Sequence, residues 1–434
     1  MKTKQKYQHI NIVTLGCSKN MVDSEQLARQ LEADGLKVVH NDEGTQARTI
    51  VINTCGFIGD AKKESVDTIL QYVEAKEQGL IDNVYVMGCL SERYKKELPE
   101  EIPEVNAMFG VNNLEEIVNR LGADFRKELV GERVLSTPAH YAYLKISEGC
   151  DRTCSFCAIP LIRGKHKSKT MENIVAEAQK LVEKGVKEIM LIAQDLTYYG
   201  VDIYKRQALA GILEKLTDIK GLEWIRLHYA YPASFPKEIL KVMREHYNIC
   251  NYLDIPFQHI SDNVLRNMRR GINSSQTYDL ISMLRSEVPN LTLRSTLLVG
   301  HPGETKKDFE ELKTFVEKVG FERLGIFTYS EEEDTYAAEK FKDSTSQSVK
   351  EKRAAEIMEI QQAISFAKNK KRIGETIKLI IDRKEADYWV GRSEGDSPEV
   401  DNEVLVKSSK NLNIGKFYDV IVNDADSFDL FAEF

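Results

Sequence analysis

Apolar positions along this chain follow two alternating periods over residues 7 to about 125. Short runs rich in Ile and Val are separated by stretches in which apolar residues recur every three or four positions. The runs His9–Leu15, Thr49–Asn53, Asn83–Met87 and Asn106–Phe109 predict strands, most of them short. Helices are predicted at Ser24–Ala33, Ala61–Ala75, Glu92–Leu98 and Leu114–Leu121. Strands and helices taken in turn imply a parallel, doubly wound α/β sheet, and 1–130 is assigned to this domain.

Residues 131–140 have little periodicity and are broken by Pro138, which predicts a linker. Six strand-then-helix units follow in 141–372. The predicted strands are Tyr143–Ser147, Glu188–Ala193, Trp224–His228, Tyr252–Pro256, Leu291–Val299 and Leu324–Tyr329. The predicted helices are Met171–Lys184, Ala208–Leu216, Pro236–His246, Ser274–Arg285, Lys306–Val319 and a long charged one from Ser348 to about Lys371. Six repeats are too few to close an eight-stranded barrel. Over 373–434 the pattern shortens to five strands, Thr376–Ile381, Tyr388–Arg392, Glu403–Val406, Tyr418–Val422 and Phe428–Phe431. Five short strands in so short a segment predict a small β-barrel of the oligonucleotide-binding type.

Composition adds limits. With 42% apolar and 29% charged residues, the 434-residue chain has the make-up of a globular protein with several cores. No apolar run approaches the ~20 residues of a membrane helix. The basic N-terminus M-K-T-K-Q-K-Y-Q-H lacks a signal-like apolar core, so no membrane is expected and the cytosol is the expected compartment. The seven cysteines are odd in number, which does not fit a disulfide framework. Six form two trios, and the seventh, Cys250, is expected to be a buried small hydrophobe.

The first trio to matter is Cys150, Cys154 and Cys157, spaced Cys-x3-Cys-x2-Cys in a loop directly after the strand Tyr143–Ser147. Three thiolates this close can face one inorganic centre but cannot close a four-ligand site. A structural zinc site wants four ligands, and so does an iron–sulfur cluster held by thiolates alone. Three cysteines and no local fourth leave one iron of a four-iron cluster open to an outside ligand. The second trio, Cys17, Cys55 and Cys89, closes three strands of the first domain as T-L-G-C, I-N-T-C and V-M-G-C. Strand C-termini of a parallel sheet share one edge, where ligands bind. Three core thiols remain the plain alternative there, and a second open-iron cluster is the reading adopted.

The Cys150–Cys157 loop, with Phe156 inside it, resembles the motif of the radical S-adenosylmethionine (radical SAM) enzymes. The segment Gly16–Glu25, N-T-C and G-C-L resemble the N-terminal domain of the methylthiotransferases, and the resemblance runs along the whole chain in order. It implies an open (β/α)6 radical SAM barrel, two 4Fe-4S clusters, and S-adenosylmethionine as radical source and methyl donor. It also implies that Phe156 helps keep water off the cluster. The polar strand ends at Gln194 and Asp195, from His228, at Gln258 and His259, and at Val299–Thr305 would then hold S-adenosylmethionine, with Gln194, Gln258 and Gly303 as its contacts. Arg163, Lys165, Lys167 and Lys169 follow the loop, and Arg163, within I-R-G, is expected to contact an anionic substrate.

Charge separates two sister functions. The chain carries −8 overall. Residues 373–434, which resemble the TRAM module of methylthiotransferases, hold seven Lys and Arg against fourteen Asp and Glu, a local −7. An acidic face repels phosphate and attracts a basic protein. Gly391–Asn402 also resembles the branch that modifies a ribosomal protein. The resemblance thus implies methylthiolation of the β-carbon of an aspartate in small-subunit ribosomal protein twelve, with an electron donor and a sulfur source as further partners and tRNA disfavoured. The alternatives are a tRNA adenosine methylthiotransferase and an iron–sulfur electron carrier or scaffold.

Overall fold

Ile10 and Ile12 point to one face of the first sheet, and Ile50, Ile52, Val84 and Val86 to the other; both sets are buried. Burial on both faces is what makes these strands near-continuous apolar runs. The computed structural model describes residues 9–42 and 44–434, so the basic stretch before His9 lies outside the described residues. Five parallel strands form the sheet, in the spatial order Lys37–His40, His9–Thr14, Thr49–Thr54, Asn83–Gly88 and Ala107–Phe109. Lys37–His40, an edge strand of four residues, was too short and too polar to stand out in the sequence.

The helix Ser18–Ala33 begins six residues before its predicted start. Its first turns are polar yet buried: Asn20 and Ser24 are fully covered and Glu25 nearly so. Polar residues turned inward break the apolar period, so the sequence hides this part of the helix. Glu25 accepts hydrogen bonds from Arg133 (3.0 Å) and from the Ser136 hydroxyl (2.9 Å), which ties the aperiodic segment after residue 130 to this domain. The predicted helix Glu92–Leu98 is instead two short ones, Cys89–Arg93 and Leu98–Glu101.

The chain packs as two compact units. One runs to Thr137 and includes Glu148–Arg152 and Cys157–Lys167; the other comprises Pro138–Ser147, Thr153–Phe156 and Ser168–Phe434. The second unit contains six strands in sequential order, all parallel: Tyr141–Lys145, Glu188–Ile192, Trp224–Leu227, Ile249–Asp254, Thr292–Val299 and Arg323–Thr328. The helix Gln347–Lys371 follows them. A closed five-stranded barrel ends the chain, in the order Thr376–Glu385, Tyr388–Ser393, Val404–Lys407, Leu430–Glu433 and Phe417–Ala425. Its Ile380 and Phe417 pack on Trp224, Tyr252 and the buried Cys250.

The acidic charge of this last barrel does not lie where its sequence placed it. Asp396 and Asp401 are turned inward and paired with Arg323 and Arg294 of the six-stranded sheet. Asp382 meets Arg392 at 2.6 Å and His140 at 2.7 Å. Arg226 and Arg392 share Glu188 between them. Only nine acidic residues of 373–434 are exposed, against six basic ones. The −7 of the segment is therefore not a surface charge. A buried guanidinium demands a counter-charge, and this domain supplies several.

Candidate functional site

In the first unit the strand order reverses between His9–Thr14 and Thr49–Thr54, which lie side by side while their connections leave in opposite directions. The carboxyl edge at such a reversal is where open α/β sheets bind ligands. Cys17 and Cys55 follow these two strands, and Cys89 opens the helix after the next one. The sheet therefore sets all three predicted cysteines along one edge. Gly16 lets the chain turn there: its φ is +86°, and a Cβ on it would stand 2.6 Å from Cys55 Cβ and 3.0 Å from Cys55 Sγ.

Asn20 and Arg163 knit this edge together. The Asn20 amide nitrogen donates to the carbonyls of Leu15 (2.9 Å) and Thr54 (3.0 Å), the ends of the two strands. Its amide oxygen accepts from Arg163 Nη2 at 2.6 Å. The same Nη2 lies 3.4 Å from Cys89 Sγ, while Nη1 meets Asp23 (3.1 Å) and Glu148 (3.0 Å). Arg163 is only 4% exposed, so the guanidinium expected at the substrate mouth is instead buried beside a candidate ligand. Lys165 and Lys167 are exposed.

Burial raises the Cys55 thiol and pushes Cys89 up to about 12, with Arg163 acting in the opposite direction on both. Each also feels Cys17, and Cys89 feels Cys55. Three soft donors gathered at one sheet edge with a buried cation alongside fit an anionic thiolate-bound cluster, because coordination removes the thiol proton. Among the described residues no three His, Cys, Asp or Glu side chains close on a single point, as one ion would require. A four-iron cluster is larger than an ion and takes its thiolates at separate corners.

The predicted loop of the other trio is held at several points. The Cys150 amide donates to Gly164 O (3.1 Å), and the Cys150 sulfur accepts from the Arg152 amide (3.4 Å). Cys154 Sγ lies 3.2 Å from Arg270 Nη1 and 3.7 Å from the Tyr231 hydroxyl. The Arg270 guanidinium stacks 4.3 Å over the Tyr231 ring. Nothing in the sequence marked Arg270, since one basic residue in the run M-R-R-G resembles a solvated face. Phe156 packs against Val264, Met268, Leu298 and Tyr329. Its neighbour Ser155 bonds His301 Nε2 at 3.2 Å. Burial holds His301 neutral, lowering it to about 4. Its Nδ1 faces the Pro302 carbonyl at 3.0 Å, which can only accept, so Nδ1 carries the proton and Nε2 accepts from Ser155.

The strand ends of the second unit carry the remaining predicted contacts. Gln194 is half-buried just beyond Glu188–Ile192. Asp195 caps the turn after it, accepting from the Thr197 amide at 2.8 Å. Gln258 adopts φ +71° and bridges to the Thr292–Val299 strand through its backbone. Gly303 is exposed, with φ +87°, and its carbonyl accepts from Asn263. Thr305 caps the helix Lys306–Val319. His259, fully buried, accepts the Ser261 amide at Nδ1 and is pushed down to about 3 by desolvation, so it too is neutral.

Comparison with known proteins follows this architecture. Residues 144–316 match the Radical SAM superfamily, residues 9–110 the uncharacterized protein family UPF0004, and residues 373–434 the TRAM domain. Among solved structures, the fold is similar to a radical S-adenosylmethionine methyltransferase, TsrM, from Kitasatospora setae. The TM-score is 0.56 at 14% identity, covering 76% of this chain and 77% of that one. The cobalamin-dependent radical enzyme OxsB gives a TM-score of 0.51 at 14% identity, over 82% of this chain and 56% of that one. The ribosomal protein uS12 methylthiotransferase RimO of Phocaeicola vulgatus is 57% identical, with 98% of each chain covered. That of Cytophaga hutchinsonii is 55% identical over 98% of this chain and 97% of its own. That of Flavobacterium psychrophilum is 53% identical over the whole of both. The chain belongs to the RimO family of radical SAM methylthiotransferases.

Proposed function

We propose that this protein methylthiolates the β-carbon of an aspartate in ribosomal protein uS12, working in the cytosol with an electron donor and a sulfur source. The observation that carries this reading is the pair of cysteine trios, each following parallel strands, in a chain that aligns end to end with uS12 methylthiotransferases. Cys150, Cys154 and Cys157 would hold the 4Fe-4S cluster that binds S-adenosylmethionine, and Cys17, Cys55 and Cys89 a second one. Gln194, Gln258 and Gly303 would contact S-adenosylmethionine. When bound, these groups supply radical cleavage of S-adenosylmethionine, hydrogen abstraction from an unreactive C–H, sulfur insertion and methyl transfer.

The chain's own part is placement. Arg270 offers an N–H and a positive charge to the Cys154 sulfur, and Tyr231 fixes the plane of that guanidinium. Phe156, partly buried against an apolar cluster, would help keep water off the loop. His301, kept neutral, accepts from the Ser155 hydroxyl through a single tautomer and so anchors the residue next to Cys154. The preference for protein over tRNA rests on the relatives and on an exposed terminal surface that stays mildly acidic.

The test is anaerobic. Reconstituted protein receives S-adenosylmethionine, a reductant and sulfide, with small ribosomal subunits and bulk tRNA offered together. Mass spectrometry then locates the methylthio group. Gain on an aspartate peptide of uS12 is expected. Gain on a tRNA adenosine would overturn the substrate, and absence of S-adenosylmethionine cleavage would leave only a carrier or scaffold.

A further inference from the structure

We propose that Arg163 is a positioning residue for the cluster at Cys17, Cys55 and Cys89, setting the hydrogen bonding at the Cys89 sulfur and hence that cluster's reduction potential. This inference rests on the reading that the trio holds a cluster. The argument begins with how the two ends of one guanidinium divide their work. Nη1 is anchored by two carboxylates, Asp23 and Glu148. Nη2 faces the site, 2.6 Å from Asn20 Oδ1 and 3.4 Å from Cys89 Sγ.

Asn20 extends the reach. Its nitrogen binds the Leu15 and Thr54 carbonyls, two residues before Cys17 and one before Cys55. One side chain thus touches one ligand directly and fixes the backbone leading to the other two through a single intermediary. Lysine could neutralise the carboxylates, but a point charge lacks the fork that meets two carboxylates at one end and Asn20 and Cys89 at the other. The two contacts of Nη2 are buried, which strengthens them, because no water competes there.

The two carboxylates offset much of the charge of the guanidinium. What is left for the cluster is chiefly the N–H donated towards sulfur. Hydrogen bonds to cluster sulfurs stabilise the more negative, reduced state and raise the potential. Loss of the donor should therefore lower it. Contact with substrate, the role its sequence position suggested, would leave the potential unchanged.

The experiment isolates one cluster in the full-length chain. In a Cys150→Ala/Cys154→Ala/Cys157→Ala background, the reconstituted protein is titrated with reductant and followed by electron paramagnetic resonance. Arg163→Gln should shift the midpoint to lower potential and alter the signal, and Arg163→Lys should fall between Arg163→Gln and the parent. An Arg163→Gln chain that takes up no iron, while the Lys variant takes it up with a shifted signal, supports the same role. An unchanged midpoint and signal in both variants would overturn it, and a raised KM for ribosomal substrate in the otherwise intact enzyme would then assign Arg163 to substrate contact. A parent background that binds no cluster would instead overturn the underlying reading, and this inference with it.

Discussion

Arg323 and Asp396 form a buried ion pair between the last strand of the six-stranded sheet and the terminal barrel, with Nε 3.1 Å from Oδ1. The two side chains are only 11% and 2% exposed. Burial alone would raise the Asp396 carboxyl, but Arg323 and the Ser393 hydroxyl outweigh it and hold the carboxyl below the usual range. Removing one partner strands the other charge away from water. Arg323→Met should cost about 3 kcal/mol or more of stability, and adding Asp396→Leu should recover most of it. Urea unfolding of the single and double variants checks this. Equal midpoints for the single variant and the parent would show that the pair does not anchor the terminal barrel.

The two cysteine trios should fail separately. Cys150→Ala/Cys154→Ala/Cys157→Ala should abolish S-adenosylmethionine cleavage and retain half of the iron bound by the parent. Cys17→Ala/Cys55→Ala/Cys89→Ala should also retain half, keep cleavage and give no thiolated product. Iron determination and chromatography of 5′-deoxyadenosine supply the measurements. Cleavage by the first variant, or a thiolated product from the second, would contradict the assignment of that trio.

What was legible in the sequence follows from burial. Central parallel strands such as Thr49–Thr54 and Glu188–Ile192 are buried throughout, so they appear as apolar runs, and Lys306–Val319 matches its predicted range to the residue. Cys150, Cys154 and Cys157 stood out because three thiols so closely spaced are rare, and Cys17, Cys55 and Cys89 because each follows a strand. Less legible were residues whose polarity is used inside the protein. Asn20 and Glu25 look like the solvent face of a helix but are buried at its start. Asp396 and Asp401 look like a surface charge, and Arg270 like a solvated residue. In each case the partner lies far away in sequence, and only the fold brings the two together.

Gly16 gives a narrower prediction. Its positive φ and the 2.6 Å approach to Cys55 Cβ leave no room for a methyl group. Gly16→Ala should strain the backbone by about 1–2 kcal/mol and displace Cys55 from the sheet edge. Iron uptake at the first-domain trio should fall, while S-adenosylmethionine cleavage at the other persists. A Gly16→Ala protein with full iron content and full thiolation would show that this close approach does not shape the site.

Acid should weaken the fold through His259 and His301, beginning below pH 6.5 and so above the ordinary carboxylate range. Both are neutral when folded, pushed down by burial to about 3 and about 4 from an ordinary 6.5. Around His259 stand Glu304 at 3.8 Å, Asp308, Arg353 and His301; around His301 stand Ser155, the Pro302 carbonyl and Asp343. A folded value below the unfolded one means that the stabilisation is complete above pH 6.5 and is lost as pH falls towards 4 and then 3. At pH 5 each imidazole should cost about 2 kcal/mol relative to pH 7. Asp308, held down to about 2, loses its contribution only below about pH 4. Glu304, raised by burial, works against the loss and softens it. Urea unfolding of the iron-free protein at pH 7 and pH 5 avoids any contribution from cluster decay. In His301→Asn, where the amide can still donate to the Pro302 carbonyl, the difference between the two pH values should shrink by about half. The same difference in that variant and the parent would mean that the His301 imidazole carries no share of the acid sensitivity, and that the loop around Ser155 and Phe156 is held by its apolar contacts alone.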